Sequence, residues 1–115
     1  IIDTRFASSL GVDLDASIRT ATGLYYRDIQ VGTGTTVAAM GRTASVAYSL
    51  FLSNGQHIQT GTYDFTIAPG AAIDGFVEGV IGMRAGGKRQ LIIPPHLAYD
   101  DGMILVFSVE LLGVT

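Results

Sequence analysis

The sequence predicts an α+β domain, an antiparallel twisted β-sheet wrapped around one short α-helix. Three observations lead there. Most segments after residue 22 alternate apolar and polar side chains with the two-residue period of a strand. Inside the domain only AAIDGFVEGVIGM, residues 71–83, carries helical spacing. Strands stand both before and after it, with no regular strand–helix alternation of the kind a parallel sheet requires. The chain has 115 residues, 48% hydrophobic and 15% charged, which fits one domain with one core.

Residues 1–22 read as an N-terminal extension and residues 23–115 as the domain proper. The extension mixes Ser, Thr and Asp with a few apolar anchors, Phe6, Leu10 and Leu14. Asp15–Ile18 suits a helical turn that Asp13 or Asp15 would cap. LYYRDIQVG (24–32) reads as a strand ended by the turn GTGT. RTASVAYSLFL (42–52) is the clearest strand, with Val46, Tyr48, Leu50 and Leu52 on one face. SNGQ suits a tight hairpin turn with Asn54 and Gly55 both at positive φ. TYDFTIA (62–68) follows as a strand, with Tyr63, Phe65 and Ile67 on one face, and Pro69-Gly70 ends it. In the helix, Ile73, Phe76, Val77, Val80 and Ile81 share one side, while Gly75 and Gly79 lower its propensity, so packing must hold it. GGKRQLIIP (86–94) and ILVFSVELLGV (104–114) complete the strands.

Composition removes several function classes. Net charge is −3 and the pI about 5.0, and the one adjacent basic pair is Lys88–Arg89, so no face suits nucleic-acid phosphate or acidic lipid. The absence of cysteine excludes disulfides, thiolate nucleophiles and Cys-based zinc sites. No apolar run is long enough to span a bilayer. His57 and His96 read as solvated loop histidines, outside any ligand motif. Asp100-Asp101-Gly102 reads as a turn rather than a metal site, and the glycine clusters lack phosphate-loop spacing. No cofactor is expected. What remains is a set of large apolar residues on inward faces or at element ends: Tyr48, Tyr63, Ile73, Phe76, Tyr99 and Phe107. Such a set suits a small core and an apolar binding pocket equally well.

The order and spacing of four motifs add to that reading. IDGFVEGVIGM (73–83), GKR (87–89), IPPHLAY (93–99) and LVFSVELL (105–112), together with the strands before them, resemble the FKBP-type peptidyl-prolyl isomerases over nearly all of residues 23–114. The resemblance implies an antiparallel sheet around a short helix, and catalysis of cis–trans isomerisation at X-Pro bonds of flexible or unfolded chains in an apolar pocket. It implies that Tyr99 donates its hydroxyl to a ligand carbonyl and that Ile73 offers a backbone amide. Phe76 takes the position of the tryptophan that floors the family's pocket. Tyr48, Tyr63 and Phe107 take aromatic wall positions, Ala72 a valine at the edge, and Ile58 and Gln59 the Phe-Asp pair of the family's F-D-S. Catalytic roles thus fall to Tyr48, Gln59, Tyr63, Ile73, Phe76, Tyr99 and Phe107. Substrate binding falls to Ile58, Ala72, Ile73, Phe76 and Tyr99. The implied partners are proline-containing polypeptides, met by a monomer. A Ser/Thr-containing lead segment resembles exported bacterial members.

The chain also departs from the family pattern. Gln59 carries no charge where the family has a carboxylate, Phe76 lacks the indole N–H, and Asp100 replaces a glycine. Only DDGMI (100–104) separates Tyr99 from LVF, where the family usually has a long loop, so one pocket wall is expected to be largely missing. Affinity for the family's macrolide inhibitors is not expected to carry over, and turnover is expected to be weak. A non-catalytic peptide-binding or chaperone module remains the alternative. A third reading makes the domain purely structural, with Phe6 or Leu10 plugging its own pocket.

Overall fold

The computed structural model describes residues 5–115. Six strands form one antiparallel sheet: β1 (Ile18–Arg19), β2 (Tyr25–Gln30), β3 (Thr43–Leu52), β4 (His57–Thr66), β5 (Lys88–Ile93) and β6 (Leu105–Val114), in the order β1-β2-β5-β6-β3-β4. Helix α1 (Asp74–Val80) lies across the concave face. The expected α+β architecture is therefore the observed one.

Alternation sorts the strands' residues. Val46, Leu50, Phe65, Leu91, Ile93, Phe107, Val109 and Leu111 point into the core with Phe76, Val77 and Val80 of α1. The two glycines of α1 lie on its buried face. A Cβ on Gly75 would stand 2.4 Å from Ile93 Cγ2, and one on Gly79 would stand 2.5 Å from Leu91 Cδ1. They cost helix propensity but let the helix backbone approach β5 closely. Arg89 then fastens the far end of the helix. Its guanidinium is buried, donates to Gly79 O and Ile81 O at 2.9 Å, pairs with Asp28 at 2.7 Å, and lies 4.6 Å from the Tyr26 ring centroid. A cation at a helix C-terminus meets otherwise orphaned carbonyls.

The convex face has its own apolar row. Tyr25, Ile92 and Val106 are cross-strand neighbours and all buried, although they point away from the helix. The extension covers that side. Gln90 Nε2 donates to Leu10 O and Arg27 Nη2 to Gly11 O, both at 2.9 Å, and Ala7 N–H donates to Ser53 O. Phe6, Leu10 and Leu14 are half-buried. Asp13 Oδ1 accepts the Ala16 N–H in a single turn, and β1 begins at Ile18, where a helical turn was expected to run.

Three further expectations change. The β3–β4 connection is a three-residue loop. Leu52 O accepts the Gly55 N–H and Leu52 N–H donates to Gln56 O, so Gly55 alone takes positive φ (92°) and Asn54 keeps an ordinary one. That is a type I turn closed by a left-handed glycine, which follows the strands' twist as well as the two-residue turn would. β4 begins at His57, five residues before its expected start, because the polar run HIQTG forms the sheet's edge and shows no apolar period. His57 consequently sits in a strand, bonded to Thr60 Oγ1 at 2.6 Å and 5.2 Å from the Phe51 ring.

Candidate functional site

Four elements and two connections enclose a cavity of about 220 Å³ on the concave face. β3 contributes Tyr48 and Leu50, β4 contributes Gln59 and Tyr63, and β6 contributes Phe107. The turn into α1 contributes Ala71, Ala72 and Ile73, the helix contributes Phe76, and the short β5–β6 loop contributes Tyr99. The space is apolar at its base and open above, as ligand clefts generally are.

The base is an aromatic lattice. Phe76 is 4% exposed, and its ring meets Phe107 at 5.2 Å (61°), Phe65 at 5.8 Å and Tyr48 at 6.1 Å (75°). Tyr48 and Phe107 close a triangle at 6.1 Å. Edge-on contacts of this kind satisfy the ring quadrupoles and fix each ring's orientation. Tyr63 stacks on Phe65 at 5.0 Å and donates its hydroxyl to Ala71 O at 2.7 Å, which ties edge strand β4 to the turn that enters α1.

The rim carries the polar groups. Ile73 is the N-cap residue; its carbonyl accepts from Phe76 and Val77, while its own N–H has no partner among the described residues. The Tyr99 hydroxyl is likewise unpaired, and its side chain is 68% exposed. Tyr99 follows the 3-10 turn Pro95–Leu97, where Asp100 N–H folds back to Pro95 O at 2.9 Å. Asp100 takes φ 54°, the left-handed region where glycine sits without strain. Asp101 Oδ1 accepts the Met103 N–H, and the chain re-enters the sheet at Leu105. Of the connection 94–104, only Tyr99 lines the cavity, so the loop gives it a low wall on that side.

Of the residues singled out from sequence, Tyr48, Gln59, Tyr63, Ala72, Ile73, Phe76, Tyr99 and Phe107 converge on this cavity. Ile58 does not. It is the extra residue of a bulge between Leu50↔Gln59 and Phe51↔His57, next to the inward-facing Gln59, and its side chain stands out in solvent, 47% exposed. Leu50 and Ala71 line the cavity without having been singled out. Leu50 was legible as the face-mate of Tyr48, whereas nothing in the sequence marks Ala71. Neither Phe6 nor Leu10 lines the cavity: Leu10 borders a separate depression with Phe51, Gln90 and Val106 on the other face of the sheet. Among the described residues no His, Asp or Glu cluster has the arrangement to hold a metal ion, and no helix is long and apolar enough to cross a membrane.

Comparison with known proteins decides the family. The family model for FKBP-type peptidyl-prolyl cis-trans isomerases matches residues 34–112. This chain belongs to that family. An FK506-binding protein of Streptomyces anulatus is 38% identical, over 79% of this chain and 86% of the relative. FK506-binding protein 1A of Neurospora crassa is 36% identical, over 80% of this chain and 88% of the relative. The crystal structure of FkpA from Escherichia coli superposes with a TM-score of 0.79 at 29% identity, covering 94% of this chain and 55% of that one. An FKBP isomerase needs neither nucleophile nor metal, which suits a site built from aromatic rings and two unpaired polar groups.

Proposed function

We propose that this chain isomerises X-Pro bonds of flexible or unfolded polypeptides in the aromatic cavity, at a reduced rate. The observation that supports it most is the closed aromatic base beneath two unpaired rim groups, the Ile73 N–H and the Tyr99 hydroxyl. Resonance sets a rotation barrier of about 18–20 kcal/mol in the X-Pro amide. The planar ground state is the charge-separated one, which water stabilises and the twisted transition state loses. A proline ring seated on Phe76 leaves water behind, so the planar amide is disfavoured relative to the twisted one. The Ile73 N–H and the Tyr99 hydroxyl then hold carbonyls of the bound chain and fix the proline's position. Tyr48, Tyr63 and Phe107 wall the ring in.

A second reading, a module that holds proline-containing chains without useful turnover, is favoured by the exposure of Tyr99 and the short loop. We assign a monomer, since the cavity is complete within one chain, and weak macrolide affinity, since the floor is a phenyl ring and one wall is low. NMR exchange spectroscopy on X-Pro peptides with catalytic amounts of protein separates the two readings. Faster exchange that disappears in Tyr63→Ala supports the isomerase. Peptide shifts on titration without faster exchange would replace it with the binding module.

A further inference from the structure

Thirteen of the fifteen glycines have a structural reason to lack a side chain: positive φ, or backbone or core atoms where a Cβ would stand. Gly113, in the last turn of the ladder beside a bulge, and Gly61 are the two without one. Gly61 lies in the middle of β4 at ordinary φ, and a Cβ there would meet nothing closer than the Tyr48 hydroxyl at 3.5 Å, an ordinary contact. A glycine inside a strand costs about 0.5–1 kcal/mol relative to alanine. Its neighbours on the same face, Gln59 and Tyr63, both line the cavity. Gly61 is therefore the low point of the β4 wall between two lining residues, with only the edge of the Tyr48 ring over it.

A second observation comes from the main chain. Ile67 N–H donates to Arg42 O, and Ile67 O accepts from Gly41; Leu52 N–H donates to Gln56 O. With pairs Ala44↔Phe65, Val46↔Tyr63, Tyr48↔Gly61 and Leu50↔Gln59, the odd residues of β4 bond inward to β3. Thr60 and Thr62 then turn their N–H and C=O outward, on the open edge of the sheet, without partners among the described residues. Unpaired groups on such an edge are ready to bond an extended chain.

We infer that the substrate's main chain leaves the cavity across Gly61 and bonds to the outward groups of Thr60 and Thr62. The inference rests on the assignment of the aromatic cavity to proline. It also fits what isomerisation requires. One flank of the X-Pro bond must turn relative to the other, so a catalyst gains by holding one flank and leaving the other free. The low point and its two flanking rungs hold one flank, while the low wall beside Tyr99 leaves room for the other to swing.

The test uses Gly61→Val and Gly61→Ala in the full chain, with Phe76→Leu as a control and an octapeptide containing one X-Pro bond as substrate. A strand position accepts valine readily, so the fold is expected to hold or gain stability. Gly61→Val is expected to raise KM about tenfold with kcat little changed, and Gly61→Ala to raise it less. The Thr60 and Thr62 amide signals of the wild-type protein should shift when peptide is added. Unchanged KM in Gly61→Val, with Phe76→Leu impaired, would overturn the exit across Gly61 and leave the cavity standing. Unchanged turnover in both would remove the cavity assignment itself. A lowered melting point in Gly61→Val would pass the decision to Gly61→Ala, for which the space already exists. A wild-type protein without turnover would be read by peptide Kd in place of KM, with the same two comparisons.

Discussion

Tyr99 concentrates the residue-scale question, because its hydroxyl has no partner among the described residues and its ring stands mostly in solvent. A hydroxyl that bonds a substrate carbonyl at an open rim contributes one net hydrogen bond, about 0.5–1.5 kcal/mol. Tyr99→Phe should accordingly lower kcat/KM roughly two- to tenfold and leave the melting point unchanged; an unaltered kcat/KM would show that the hydroxyl touches nothing. Gln59→Asp asks whether the family's carboxylate is limiting. No lining side chain of the cavity is a carboxylate, imidazole or amine. Turnover should therefore be flat from about pH 5 to 8, and Gln59→Asp should introduce an acid limb to the profile if the new charge takes part. A pH-dependent wild type would place a titrating group in the reaction that the cavity does not contain. Much of the site was legible at this scale because alternation puts Tyr48 with Leu50 and Tyr63 with Phe65 on one face of their own strands, and the family resemblance joins those faces and Phe107 into one pocket. Ile58 is assigned to the pocket by its match to the family's F-D-S, and the register instead puts it beside the inward-facing Gln59 on the opposite face, at a bulge that alternation does not announce.

The same bulge logic governs the elements. Ile29, Ile58 and Leu112 are the extra residues at the three register shifts of the sheet, and they are 57%, 47% and 49% exposed. Each sits at a local break in the ladder and outside the core. The helix shows the reverse case. Its glycines argued against a helix on propensity, yet they are what lets α1 lie close enough to β5 for Phe76 to reach the cavity floor. Gly75→Ala tests this directly. Alanine gains about 0.8–1.0 kcal/mol of helix propensity. The new methyl would meet Ile93 Cγ2 at 2.4 Å, with Ile93 Cγ1 and Cβ at 3.1 and 3.2 Å, and a buried β-branched side chain has no free rotamer to retreat into. Overpacking of that kind costs about 1–3 kcal/mol. The variant should unfold at lower denaturant and, by lifting the helix, lose activity even in the folded fraction. A stability equal to or above the wild type would mean that propensity, not proximity, governs α1.

At the scale of the molecule the two faces of the sheet do different work. The concave face and helix carry the cavity, and the convex face carries the row Tyr25, Ile92 and Val106, which needs a cover. The apolar triplets LII and LVF, buried on both faces, are the sequence's sign of such a cover, although without the register they do not say what supplies it. Residues 7–11 cross this face through three main-chain acceptors or donors, and Ile18–Arg19 join the sheet itself as β1. The proposed boundary between extension and domain at 22/23 can therefore be tested by two truncations. Removing residues 1–11 strips the acceptors of Arg27 and Gln90 and uncovers part of the apolar row. Three hydrogen bonds at about 0.5–1.5 kcal/mol each set the loss at a few kcal/mol, out of a total of 5–15 kcal/mol typical of a domain. The truncated chain should still fold, melt lower, and keep its kcat/KM, because none of the described residues 5–11 borders the cavity. Removing residues 1–22 also deletes β1, the bond from Thr22 to Glu78 and the acceptor of His96, which sits in the turn leading to Tyr99. That second truncation should cost more stability and also raise KM, through a loosened Tyr99 loop. Equal melting points for the two truncations would place the boundary at 22/23 and make β1 an ornament of the extension. A larger fall for the second would move the start of the folding unit to Ile18.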